Sequence, residues 1–108
     1  DDLYYWIAQV INAIPDNIEY EFYYFNRVSD IEFQKYDIVI LDYYLDKDWV
    51  TSESIIDEFM WSEIISFSSE ESKNKLMLNK WAEYWVKKLS WVNKNNSLEN
   101  IIKNLMQR

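Results

Sequence analysis

Apolar and polar positions alternate in blocks that predict helices and strands in turn. Residues 3–14 place Ile7, Val10, Ile11 and Ile14 at i, i+3, i+4 and i+7, one stripe of an amphipathic helix that Pro15 ends. From Ile18 to Phe25, Ile18, Tyr20 and Phe22 alternate with Glu19 and Glu21, the pattern of an edge strand wetted on one face. Ser29-Asp30-Ile31-Glu32 has capping-box spacing and predicts a short helix after it. Ile38-Val39-Ile40-Leu41 is an unbroken apolar run, mostly β-branched, and predicts a strand buried on both faces within a parallel sheet.

The second half repeats the alternation. Val50 to Met60 predicts a helix with Ile55, Ile56 and Phe59 inward, and Glu63 to Phe67 a short apolar strand. Glu70 to Lys80 reads as a polar helix with a weak apolar face at Leu76 and Met77, and Tyr84-Trp85-Val86 as a brief strand. Asn96 to Gln107 carries Leu98, Ile101, Ile102 and Leu105 at helical spacing. Strands alternating with helices predict parallel βαβ units and an α/β class. The length, 108 residues, suits one domain.

Composition removes several chemistries. With no cysteine there is no disulfide or thiolate, and with no histidine the usual zinc ligands and Ser-His triads are gone. The net charge is −8, and lysines cluster only late, from Lys73 to Lys94. Direct nucleic-acid binding needs a basic stripe and is not expected. No apolar stretch is long enough for a membrane span. An acidic surface suits Mg²⁺ and protein partners.

Glycine is absent, although about seven would be ordinary for this length. Tryptophan occurs six times, several times where a turn residue belongs: Trp49, Trp61, Trp81 and Trp91. A left-handed turn is cheap for glycine and costly for a bulky aromatic. The coincidence predicts that several of these positions are glycine in the native protein, as where UGA is decoded as glycine. Codons spelled UGG at these positions would exclude it.

The candidate chemistry begins at Asp42, which ends the buried run. In open α/β sheets ligands bind beyond the carboxyl ends of the strands. An acid held there is a candidate nucleophile or metal ligand; a plain strand-ending Asp is the alternative. Ser68-Ser69-Glu70-Glu71 is also a capping box, and Lys87-Lys88 could be a solvated pair.

Taken together, these residues resemble the receiver domain of two-component response regulators. Asp1-Asp2 matches that family's acidic pair, and Ile38-Val39-Ile40-Leu41-Asp42 its third strand and phosphoacceptor. Ile64-Ile65-Ser66-Phe67-Ser68-Ser69 matches the fourth strand and its hydroxyl residue. Trp81-Ala82-Glu83-Tyr84-Trp85-Val86-Lys87-Lys88 matches the Gly-Ala-x-x-aromatic-x-x-Lys segment.

The resemblance implies a doubly wound, flavodoxin-like parallel sheet of order 2-1-3-4-5, with residues 1–108 as one receiver domain whose first strand has been cut away before Asp1-Asp2. It implies Asp42, Ser68 and Lys88 as the catalytic set. It implies Asp1, Asp2, Asp42 and the Tyr44 carbonyl as ligands of Mg²⁺, and Ser68 with Trp85 as the switch. Its partners would be a histidine kinase or phosphotransfer protein and a downstream output protein, in the cytoplasm, with homodimerisation left open. Enzymatic activity would amount to Mg²⁺-dependent self-phosphorylation and autodephosphorylation. Leu89 departs from the family's usual proline. The alternative is a receiver-like interaction module that is not phosphorylated. A haloacid-dehalogenase phosphatase would need an Asp where Tyr44 stands.

Overall fold

The computed structural model describes residues 2–45 and 50–107, Asp2 for its backbone alone. Among these the chain forms α1 (Asp2–Asn12), β1 (Ile38–Leu41), β2 (Glu63–Ser68), α2 (Glu71–Leu78), β3 (Tyr84–Lys87) and α3 (Asn96–Met106). Short 3-10 turns lie at Val28–Asp30, Ser52–Ser54 and Ile56–Phe59. The class is α/β, and the three strands form one parallel sheet in the order β1-β2-β3. No helix among the described residues is long and apolar enough to cross a membrane. The chain divides into two units, Tyr23–Lys87 and Asp1–Phe22 with Lys88–Arg108.

The unit Tyr23–Lys87 is built on the sheet. Val39 stands opposite Ile64 and Leu41 opposite Ser66; Ser66 then stands opposite Trp85 and Ser68 opposite Lys87. β2 is buried from Ile64 through Ser68 without alternation, as a central strand should be. Val39, Leu41 and Ile64 share one face and pack with Met77, Ala82, Ile55, Ile56 and Phe59. Each such side chain contributes about 1.5–3 kcal/mol when fully buried. α2 packs on β2 and β3.

In the other unit α1 packs on α3, which buries Leu98 and Ile102. Gln9 on α1 and Ala13 just beyond its end are buried, whereas Ile11 of the expected stripe is exposed. Gln9 Nε2 donates to the carbonyls of Leu89 (2.7 Å) and Val92 (3.1 Å), and its Oε1 accepts from Asn95 Nδ2 (3.1 Å). Asn95 in turn caps α3, its Oδ1 accepting the Leu98 N–H at 3.2 Å. Between β3 and α3, Trp91 has φ 64°, the left-handed region, with its ring 70% exposed.

Three sequence expectations need correction. Residues 18–25 form no strand among the described residues: alternation defines two faces, but a strand also needs a neighbour's ladder to join. Its aromatic residues Tyr20, Phe22, Tyr23 and Tyr24 are exposed. The Ser29 capping box starts no helix, because Ser29 lies inside a 3-10 turn and Ile31 is already extended. Aromatic packing overrides the local signal there, with the Phe33 ring 5.4 Å from that of Phe59. Val50 to Met60 is not one α-helix but two 3-10 turns broken at Ile55. Serine hydroxyls in this stretch bond backbone carbonyls, Ser54 to Thr51 at 2.7 Å and Ser52 to Asp42, and such bonds compete with helical ones.

Candidate functional site

The strands are parallel, so their carboxyl ends lie along one edge of the sheet. Asp42 follows β1 directly and is half-buried. Its Oδ1 accepts the Tyr43 N–H at 2.8 Å, and its carbonyl accepts the Ser52 hydroxyl. The Ser52 N–H donates to the Tyr43 carbonyl (2.8 Å), and the Leu45 N–H to that of Val50 (2.9 Å). Tyr44 pairs antiparallel with Thr51. Asp42 therefore stands at the base of two stems joined by backbone bonds, rather than on an unsupported turn. Next to it, the buried Tyr43 hydroxyl donates to the Glu53 carboxylate, and Lys73 Nζ lies 5.0 Å from the Tyr43 ring centroid. The bond to Glu53, then burial, then the Glu53 charge raise the Tyr43 pKa above the ordinary tyrosine value.

Ser68 closes β2 and is buried. Its Oγ accepts the Glu70 N–H at 3.2 Å, a bond to the residue two positions on. The N-cap of α2 is Glu70 and makes no side-chain cap bond, so Ser68 is not the cap that the capping-box alternative required. Trp85 lies in β3 opposite Ser66 and is half-buried. Alternation along β2 sets Ser66 and Ser68 on the same face of the sheet.

Asp42, Tyr44, Ser68 and Trp85 thus belong to the unit Tyr23–Lys87. Lys88, next in the chain after β3, belongs to the other unit; it is buried there, with Nζ 3.6 Å from the Trp6 ring centroid. A cation over an indole face at that range contributes about 0.5–2 kcal/mol. Asp1 and the Asp2 side chain lie outside the described residues. Among the described residues no three carboxylates gather into a metal-holding group, and Asp42 is the one carboxylate of the expected magnesium set with a described side chain. Mg²⁺ takes one or two carboxylates beside water and phosphoryl oxygens, and Asp42 with the Tyr44 carbonyl is of the type such a site uses.

Sequence reasoning missed three residues at this edge. Ser52 is fully buried and donates to two successive carbonyls, its hydroxyl to that of Asp42 and its N–H to that of Tyr43. Lys73 brings a cation to the Tyr43 ring. Asn74, on α2, is fully buried and bonded to β2 and β3. Only Asn74 left a signal: it precedes Met77 by three positions and so shares the buried stripe of its helix.

No family model, curated protein or solved structure matches this chain.

Proposed function

We propose that this protein is a phosphoacceptor receiver domain, taking a phosphoryl group from a phosphohistidine on a cytoplasmic histidine kinase or phosphotransfer protein onto Asp42. The observation that supports the reading is the sheet edge itself. A short, apolar parallel strand delivers Asp42 there, and the adjacent strand ends at the same edge on a buried hydroxyl, Ser68. The reading assigns β1, β2 and β3 to the third, fourth and fifth strands of a flavodoxin-like 2-1-3-4-5 order.

A carboxylate oxygen of Asp42 attacks phosphorus in line with the P–N bond of the donor. The P–O bond forms as the P–N bond breaks, and the imidazole leaves with its electron pair and takes up a proton. The Ser68 hydroxyl donates to a phosphoryl oxygen. Mg²⁺ held by Asp42 and the Tyr44 carbonyl would supply further charge neutralisation when bound. The new charge draws Ser68 inward, and Trp85 reorients to alter the surface met by an output protein.

The test is incubation with acetyl phosphate and Mg²⁺, followed by intact mass. A gain of one phosphoryl group that Asp42→Asn abolishes supports the reading. No gain by the folded full-length chain would leave a receiver-like interaction module instead.

A further inference from the structure

We propose that Asn74 is a positioning residue for the Ser68 hydroxyl, an inference that rests on the phosphoacceptor reading. Asn74 is fully buried, and its amide is fully used. Oδ1 accepts the Ser66 hydroxyl at 2.7 Å and the Ser68 N–H at 3.0 Å. Nδ2 donates to the Ser68 carbonyl at 2.9 Å and to the Val86 carbonyl at 3.2 Å. An asparagine has two donors and an acceptor oxygen with two lone pairs, and all four capacities are filled.

The geometry decides what those bonds do. At the end of a parallel sheet the ladder runs out, and the last peptide groups need other partners. One planar side chain takes both backbone groups of Ser68, and this fixes the direction of its Cα–Cβ bond. The bond to Val86 ties the same amide to β3, one residue after Trp85. The Ser66 hydroxyl holds the amide plane from below, on the same face. A clamp serving only to dock α2 could engage the strand anywhere. This one engages the residue that carries the proposed hydroxyl, through both of its peptide groups. Ser68 is thereby held ready to meet a phosphoryl oxygen without first losing backbone freedom.

The experiment compares phosphorylation by acetyl phosphate and Mg²⁺ in the full-length wild type, Asn74→Asp, Asn74→Ser, Ser68→Ala and the Asn74→Ser/Ser68→Ala double variant. Circular dichroism checks that each is folded. If Asn74 acts through Ser68, each single variant slows phosphoryl gain about ten- to a hundredfold, as displacement of a reacting-group contact does. The double variant is then no slower than Ser68→Ala. Rates that multiply in the double variant, or a wild-type rate in Asn74→Ser, overturn the proposal while the phosphoacceptor reading stands. A wild type that takes up no phosphoryl group overturns both. Amide exchange of the wild type gives a check that needs no variant. The Ser68 N–H exchanges as slowly as that of Ile65 if Asn74 holds it, and exchange at the rate of an exposed amide overturns the proposal.

Discussion

Position 91 offers the sharpest test of the backbone. Trp91 sits at φ 64°, where the β-carbon of an L-residue crowds the following carbonyl at a cost of about 1–2 kcal/mol. Glycine escapes that cost but loses about 0.5–1 kcal/mol relative to alanine in backbone entropy. At an unstrained position alanine is therefore the more stable by that amount. At position 91 the strain outweighs the entropy loss at mid-range, and Trp91→Gly is expected to exceed Trp91→Ala by about 0.7 kcal/mol, within a span of about 0–1.5 kcal/mol. Both variants lose the edge-on contact between the rings of Trp91 and Tyr5, whose centroids lie 5.9 Å apart, so that loss cancels in the comparison. It is worth about 0.5 kcal/mol here, the low end for aromatic pairs, because Trp91 is mostly exposed. Trp91→Gly should thus match or slightly exceed the parent protein, and Trp91→Ala should fall below it. Urea unfolding at 25 °C measures all three, with equal slopes as the check on a common unfolded state. In thermal unfolding 1 kcal/mol corresponds to roughly 4 °C or more for a chain of this size. An alanine variant as stable as the glycine variant would refute the argument from the left-handed turn.

Two further outcomes follow from the buried polar groups. The folded state favours the neutral Tyr43 phenol, so its contribution is complete below the unfolded value of 10.0 and is lost as pH rises through the higher folded value. Stability measured from pH 8 to 11 should fall more steeply for the parent than for Tyr43→Phe, and parallel curves would contradict the Tyr43–Glu53 bond. Gln9→Leu keeps the side-chain volume but strands the Leu89 and Val92 carbonyls and the Asn95 amide. It should cost about 1–3 kcal/mol in urea unfolding, and a loss under 0.5 kcal/mol would mean that water replaces the bracket.

The residues that declared themselves in the sequence are those whose burial follows from local periodicity. The run Ile38 to Leu41 became β1, the stretch from Glu63 became β2, and Leu98 and Ile102 point inward from α3. The failures share one cause. Whether Ile18 to Phe25 joins a sheet depends on a partner strand, and the fate of Ser29 and Val50 to Met60 depends on aromatic and hydroxyl contacts to distant segments. Asp42 and Ser68 were legible as strand ends. Ser52 and Gln9 were not, because a polar side chain is buried only where several backbone groups from elsewhere converge on it; Asn74 showed only its helical spacing from Met77.

The Gln9 bracket also bears on the order in which the molecule forms. Its partners lie 80, 83 and 86 positions further along the chain. During synthesis from the amino terminus, Gln9 waits for 80 or more further residues to be made before its bonds can close. The segment Tyr23–Lys87 is continuous and carries its own apolar centre, so it can begin to condense while α3 is still being translated. Vectorial production thus separates an early-maturing segment from the flanking α1 and α3, which fasten to each other last.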